Sequence, residues 1–276
     1  MRPPKHSPFL NKFTPHQIAE AMTMIEQSAL AQINWRELID LSWSKSGLDK
    51  VRDWSFFVLP LSGSSTWQPP KSVDIVIARF NVVLKWAVSE IVLTEDLAER
   101  RHTICQYVHI AAAARDLRNF ATMYQITMAL LSADISGLKE TWQFVPAEEK
   151  EMLKELEKLV TPTKNFVTLR REQEGVVVDK GCIPFFGKYN GMYLNIDPTP
   201  TTQSRSTSPS SSEQAEPLVN FERYQNAASI VKTVLRLVDA SKTYNYAVTP
   251  ALLSRCLWMC ALGDEEIRAR SRALTM

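Results

Sequence analysis

Two adjoining stretches decide the fold: DLAERRHTICQYVHIAAAARDL at residues 96–117 and NFATMYQITMALLSADI at residues 119–135. Each is long enough for several helical turns, and neither shows the alternation of apolar and polar residues that is typical of a strand. The run of small side chains from Ala111 to Ala114 allows neighbouring helices to approach closely. These stretches therefore predict two helices, the first of them surrounded by neighbouring helices, in a mostly helical protein.

The next element outward is FTPHQIAEAMTMIEQSALAQI at residues 13–33. Thr14 is a favourable N-cap, Pro15 suits the first helical position, and Gln17 completes a capping box. Apolar residues then recur every three or four positions, which predicts a helix with one buried face. They are Ile18, Met22, Ile25, Ala29 and Ile33.

Four further stretches predict helices by the same reasoning. They are NWRELIDLSWSK (34–45), SVDIVIARFNVVLKWAVSEIVL (72–93), PAEEKEMLKELEKLV (146–160) and LVNFERYQNAASIVKTVLRLV (218–238). In the second of them Ile77, Phe80, Leu84, Val88 and Ile91 lie along one side, and in the third Met152, Leu153, Leu156 and Leu159 point inward. Apart from the short GVVVDKG at 175–181, nothing alternates with period two. The predicted fold class is all-α, with no second domain.

Composition and the absence of known motifs argue against several classes of function. The 276 residues carry a net charge of +2, which gives no reason to expect nucleic acid or an anionic membrane as partner. No apolar run is long enough to cross a membrane, and no signal peptide is evident, so the expected location is the cytoplasm. Cys256 and Cys260 lie one helical turn apart, but no second pair completes a zinc site. The sequence predicts no metal, cofactor or bond-making chemistry.

The segment CIPFFGKYNGMYLNI, residues 182–196, combines aromatic residues with glycines in a chain that holds only 8 glycines. On a helix, Tyr189, Met192, Tyr193 and Ile196 share one face, whereas Leu194 lies on the other side and Asp197 between the two. Phe185 and Phe186 precede this helix and could support its base. The pattern favours a short helix held away from the body of the protein, although ordinary core packing remains an alternative.

Residues 197–217, DPTPTTQSRSTSPSSSEQAEP, have no periodic apolar content, and we expect them to be disordered. Thr199 and Ser208 each precede a proline, so they are candidate sites for proline-directed phosphorylation. Such pairs also arise by chance in any linker of this composition.

Several motifs, in order, resemble the catalytic domain of Ras-family guanine nucleotide exchange factors, the RasGEF family that includes Son of sevenless. They are FNVVLKWAVSEI, ERRHTICQYVHIAAAARDLRNFATMYQITMALL, GLKETW, CIPFFGKY and LVNFERYQNAASIV. The resemblance covers about residues 13–258, and the sequence is similar above all to fungal members of the family. It implies an all-α bowl with a protruding helical hairpin that opens the first switch of a Ras-like small GTPase of the Ras, Rap or Ral branch. No covalent bond is made.

The resemblance also assigns roles to residues. It implies that Leu194 and Asp197 form the wedge of the hairpin, with Phe185, Phe186 and Tyr189 as its support. It implies that the remaining matched positions contact the GTPase, and these are Asn81, Tyr124, Leu131 and Gly191. It further implies recruitment to the plasma membrane or other membranes when the protein is active. The N-terminal helical module that usually accompanies this domain is absent from the 276 residues. Either the chain is a fragment of a larger protein, which we favour, or the domain works without this module.

Four positions depart from the family pattern. Ala78 replaces a basic GTPase contact, Leu131 replaces a residue that is often polar, and Gly137 stands where many relatives carry arginine. Pro198 occupies the alignment column of the hairpin acid, so Asp197 is displaced by one position. The departures at Ala78, Leu131 and Pro198 motivate one alternative to an active exchange factor, a RasGEF-like scaffold that has lost exchange activity. A further alternative, an unrelated helical adaptor, would require the motif matches to be accidental.

Overall fold

The computed structural model describes residues 6–39, 51–53, 72–162, 166–174, 180–185 and 221–275, and within them the regular structure is helical. Two isolated β-bridges, Asp53 with Cys260 and Asn119 with Ile183, are the extended pairings in this part of the chain. The predicted all-α class is thereby confirmed. The helices are a 3₁₀ helix Phe9–Lys12, α1 Pro15–Leu30, α2 Trp35–Ile39, α3 Ser72–Leu93, α4 Leu97–Asp116, α5 Phe120–Leu131, α6 Ala133–Ser136, α7 Lys139–Phe144, α8 Ala147–Val160, α9 Val167–Glu174, α10 Phe221–Ser241, α11 Pro250–Leu257 and α12 Asp264–Ala273.

Helix α1 begins where its cap predicts. The Thr14 hydroxyl accepts a hydrogen bond from the Gln17 backbone N–H at 3.2 Å, and the Gln17 side chain accepts one from the Thr14 N–H at 3.0 Å. Both halves of the predicted capping box are present. Ile18, Met22 and Ile25 are buried, so the predicted apolar face is the one that meets the core.

Helix α4 lies at the centre, in contact with α1, α5 and α8. Ala111 and Ala114 are fully buried, as their small size predicts for a helix with close neighbours. Helix α5 packs against both α4 and α3, and α1 also contacts α11. The amphipathic helix α8 covers one side with Leu153, Leu156 and Leu159 buried, which confirms the predicted inward face.

Helix α3 differs from its prediction in one respect. Val88 and Ile91 are buried as expected, but Ile77, Phe80 and Leu84 are only half-buried. The fully buried face of the helix instead carries residues such as Val83 and Ala87. The helix is apolar on more than one side, so part of the predicted stripe is left to line a groove.

The predicted helix over 218–238 is confirmed as α10, which begins at Phe221 and runs on to Ser241. Its C-terminal end is fixed to α1, because the Gln27 amide donates hydrogen bonds to the carbonyls of Ser241 at 2.9 Å and Tyr244 at 3.0 Å. Of the segment 182–196, the structure describes only residues 182–185, so the helix predicted after them lies outside the described residues. The segment 197–217, predicted to be disordered, also lies outside them. No helix in the described ranges is long and apolar enough to cross a membrane.

Candidate functional site

A groove opens between α3 and α5, and the segment 180–185 closes one side of it. Its volume is about 380 Å³. Helix α1 contributes Glu26 to the lining, and most other lining residues are apolar. The lining residues are Glu26, Val76, Ile77, Phe80, Asn81, Leu84, Ala121, Tyr124, Gln125, Met128, Pro184 and Phe185.

Aromatic rings form one wall of this groove. The rings of Tyr124 and Phe185 are stacked, with centroids 3.8 Å apart and planes inclined by 9°. Phe80 lies 5.7 Å from Tyr124 and 5.6 Å from Phe185, and Phe166 meets Phe185 edge-on at 5.6 Å. Burial raises the pKa of the Tyr124 hydroxyl, which therefore stays protonated at neutral pH. These stacked, tilted and edge-on contacts give the wall a defined shape.

The inner end of the groove is built on a buried ion pair. The Arg79 guanidinium on α3 contacts the Glu26 carboxylate on α1 at 2.8 Å, and neither side chain is more than 2% exposed. The Gln125 amide on α5 donates a longer hydrogen bond to the same carboxylate at 3.4 Å. The Glu26 carboxylate thus joins α1 to α3 and α5 beneath an apolar surface.

Three of the residues that the resemblance assigned to function meet in this groove. Asn81 and Tyr124, expected to contact a GTPase, line it together with Phe185, expected to support a hairpin. Leu131 lies half-buried at the end of α5 and packs against the core, outside the groove lining. Phe186, Tyr189, Gly191, Leu194, Asp197, Thr199 and Ser208 lie outside the described residues.

Sequence reasoning did not single out Phe80, Met128 or Phe166 as site residues. Phe80 belongs to the predicted apolar stripe of α3, and a stripe too wide for one buried face is the signal that could have found it. Met128 follows Tyr124 by one helical turn and thus lies on the same face of α5. Phe166 adopts a φ of 55°, a left-handed conformation rare for a bulky residue, and no sequence pattern marks it.

No metal site is formed among the residues that the structure describes, since they contain no group of three or more His, Cys, Asp or Glu side chains suited to one. Cys256 is buried and Cys260 is exposed, and both are free thiols. Burial raises the pKa of the Cys256 thiol to about 12, which keeps it protonated and unreactive.

A helical body that presents an apolar groove with an aromatic wall is the arrangement of a protein-binding domain. Comparison with known families makes the class specific: the RasGEF domain matches residues 17–225, and the chain belongs to that family. Exchange factors of this family catalyse nucleotide exchange rather than covalent chemistry.

Curated relatives agree with this assignment. The protein named guanine nucleotide exchange factor LTE1 from Kluyveromyces lactis is 29% identical over 268 residues, which cover 97% of this chain and 18% of the relative. The LTE1 protein of Candida glabrata is 30% identical over 95% of this chain and 19% of its own length. Cell division control protein 25 of Saccharomyces cerevisiae is 27% identical over 80% of this chain and 12% of its own. The chain spans less than a fifth of the length of these relatives.

Proposed function

We propose that this chain is a guanine nucleotide exchange domain that promotes GDP release from a Ras-like small GTPase. Family membership and relatives named as exchange factors support the class of activity. The observation that carries the proposal is the groove, in which Asn81 and Tyr124 lie beside Phe185. These are the positions at which the family resemblance expects GTPase contact and hairpin support to meet.

The groove takes an apolar segment of the GTPase. Half-buried side chains such as Ile77, Leu84 and Met128 offer apolar surface that loses water on binding, and burial of such surface is favourable. Asn81 adds a polar side chain to the same lining. Interfaces of signalling complexes of this type bury on the order of 2,000 Å² or more, so the groove is one part of a larger contact surface.

The hairpin that follows Phe185 acts as the wedge. Leu194 presents an apolar side chain near the magnesium ion, and Asp197 brings a carboxylate towards the phosphates. A carboxylate and an apolar group at the place of phosphate and Mg²⁺ weaken the binding of both. Phe186 and Tyr189 support the base of the hairpin together with Phe185, and Gly191 and Leu131 contact the GTPase.

Exchange then follows from differential affinity. The domain binds the nucleotide-free GTPase more tightly than the GDP-bound form, and by linkage each of the two ligands weakens the binding of the other. The cellular excess of GTP sets the direction of nucleotide exchange. The GTPase belongs to the Ras, Rap or Ral branch, and its membrane attachment brings the domain to the membrane.

Phosphorylation at Thr199 or Ser208 is a further part of the proposal, because the family resemblance implies that both residues lie between the two helices of the hairpin. Added negative charge there would alter the exchange rate. Equal exchange rates for the wild type and for Thr199→Glu and Ser208→Glu variants would argue against this regulation.

A scaffold without exchange activity is the second candidate, and the departures at Ala78, Leu131 and Pro198 favour it. Ala78 is fully buried and Leu131 lies outside the groove lining, so these two departures leave the groove itself unchanged. A scaffold would bind GDP-loaded and nucleotide-free GTPase alike, whereas an exchange factor must prefer the nucleotide-free form strongly.

Release of fluorescent GDP from a panel of Ras, Rap and Ral-type GTPases tests the proposal. We expect acceleration on one branch, reduced about tenfold or more in the Leu194→Ala variant, which corresponds to about 1.4 kcal/mol of lost transition-state stabilisation. Acceleration that is unchanged in the variant would overturn the wedge mechanism while leaving the activity. No acceleration on any GTPase would favour the scaffold.

A pair of charge substitutions tests the groove in the same assay. Met128→Asp places a carboxylate in the apolar lining, so we expect at least tenfold weaker binding of the GTPase. Phe144→Asp is the matched control, because Phe144 is 56% exposed and lies outside the groove. Equal loss in the two variants would show that the groove has no specific role in binding.

A further inference from the structure

The segment 180–185, which leads from the body of the protein to residue 186, is held at the corner between α4 and α5. The Ile183 N–H donates to the Arg118 carbonyl at 3.0 Å, and the Phe120 N–H donates to the Ile183 carbonyl at 2.9 Å. The Arg118 guanidinium adds a second attachment, since its Nε donates to the Gly181 carbonyl at 2.9 Å and its Nη2 to the Lys180 carbonyl. Arg118 thus binds this segment through both its backbone and its side chain.

The backbone of Arg118 adopts a conformation that arginine rarely takes. Its φ is 55°, in the left-handed region that glycine and asparagine enter more easily. The turn alone would therefore be satisfied better by glycine or asparagine. The chain nevertheless has arginine here, and the side chain that this residue adds is the one that holds the carbonyls of residues 180 and 181. Charge-assisted hydrogen bonds of this kind are stronger than those between neutral groups.

The other side of the segment is also fixed. Gly181 has a φ of 74°, and a Cβ atom at this position would lie 2.7 Å from the Tyr244 ring. The Tyr244 hydroxyl donates to the Leu117 carbonyl, in the same corner as Arg118. The segment therefore lies between the α4–α5 corner and the residues that follow α10.

This attachment sets the direction in which the chain leaves the body. Ile183 is fixed at the corner, and two residues later Phe185 stacks on Tyr124 of α5. Resting on the proposed function, we propose that Arg118 is a positioning residue for nucleotide exchange. It holds the base of the hairpin at the angle at which the wedge residues reach the nucleotide site of the GTPase.

The effect of Arg118 falls on the rate of release rather than on the affinity for the GTPase. The groove lining comes from α1, α3, α5 and residues 184 and 185 and does not include Arg118, so binding through the groove continues without the guanidinium. The proposed wedge residues, in contrast, follow Phe185 in the chain, so the positioning of residues 180–185 acts on the wedge and not on the groove. Displacements of about 1 Å in a catalytic arrangement can lower rates on the order of a hundredfold.

The test compares Arg118→Asn with Arg115→Asn in the 276-residue chain. Asparagine tolerates the left-handed backbone and removes the guanidinium, so the turn itself is preserved. Arg115 is a matched control one turn earlier on α4, where its guanidinium pairs with Glu172 at 2.7 Å. The readouts are GDP release as a function of the concentration of the chain, and hydrogen exchange of the Ile183 and Phe120 amides.

We expect Arg118→Asn to lower the maximal release rate about tenfold with a half-saturating concentration within twofold of wild type, and to speed exchange of the Ile183 amide. Arg115→Asn should match the wild type in both readouts, and Arg118→Lys should recover part of the rate. Wild-type values for Arg118→Asn on an active chain, or a change in half-saturation alone, would overturn the positioning role. Absence of release by the wild type on every GTPase would overturn the proposed function, and this inference with it.

Discussion

Single residues fix the backbone where the helical body meets the segment 180–185. A side chain at position 181 would be unfavourable for two reasons. The backbone there is left-handed, and a Cβ atom would lie 2.7 Å from the Tyr244 ring and 2.8 Å from the Thr243 hydroxyl. We expect Gly181→Ala to lower the free energy of unfolding by about 2–4 kcal/mol, measured by urea denaturation. Gly263→Ala is the control, because a Cβ there meets no atom within 4 Å. A loss below about 1 kcal/mol at Gly181 would contradict this account.

At the same scale, Glu90 on α3 makes stability depend on pH. Its carboxylate is 12% exposed and lies 3.4 Å from the His6 ring, and burial raises its pKa from 4.5 to about 7. Between these two values the folded chain holds a proton on Glu90 that the unfolded chain has lost, so the contribution of Glu90 to stability falls as pH rises across this window. Burial also lowers the pKa of His6, so the contribution of His6 to stability changes with pH in the opposite direction.

The Glu90→Gln variant removes this titration. We expect its free energy of unfolding, relative to wild type, to rise between pH 4.5 and pH 7 and to stay constant above pH 8. Urea denaturation at pH 4.5, 6 and 8 measures the difference. A difference that is the same at all three pH values would show that Glu90 does not titrate in this range in the folded chain.

At the scale of helices, the buried ion pair between Glu26 and Arg79 joins α1 to α3. Removal of one partner leaves the other charge buried without compensation, which costs about 3–5 kcal/mol. We expect Arg79→Met to destabilise the chain by that amount and the double variant Arg79→Met, Glu26→Leu to recover much of it. A double-mutant cycle of urea denaturation measures the coupling. Additive losses in the two single variants would contradict a direct interaction.

Individual helices were also the level at which the sequence was most informative. The capping box at Thr14 and Gln17 is a local interaction, so it could be predicted from residues three positions apart. The buried faces of α1 and α8 follow from periodicity for the same reason. Helix α3 was predicted as a helix, but its apolar residues cover two faces. Which face meets the core and which lines the groove depends on the packing of α5, and periodicity carries no information about that.

For the molecule as a whole, the arrangement of the groove depends on contacts between distant parts of the chain. Asn81, Tyr124 and Phe185 meet in one lining, although more than forty residues separate each from the next. The family resemblance assigned Asn81, Tyr124 and Leu131 to GTPase contact, and the first two share the groove lining whereas Leu131 lies outside it. The hydrogen bonds of Arg118 to residues 180 and 181, and the ring of Phe166 beside Phe185, were not predicted, since they depend on backbone conformations that no local pattern indicates.

The proposed preference for nucleotide-free GTPase has a consequence for the stability of the whole chain. A ligand that binds only the folded state slows the hydrogen exchange of amides that exchange through global unfolding. The factor is one plus the ratio of the free ligand concentration to its dissociation constant. Buried amides of α4, the central helix, are suited to this measurement, because the most protected amides of a protein exchange through global unfolding. With nucleotide-free GTPase at a hundred times its dissociation constant, we expect these amides to exchange about a hundredfold more slowly, as followed by mass spectrometry.

GDP with Mg²⁺ should reverse most of the protection, since nucleotide and exchange domain weaken each other's binding. Met128→Asp should lose the protection and Phe144→Asp should keep it. Equal protection by GDP-loaded and nucleotide-free GTPase would contradict an exchange factor and would instead identify a scaffold.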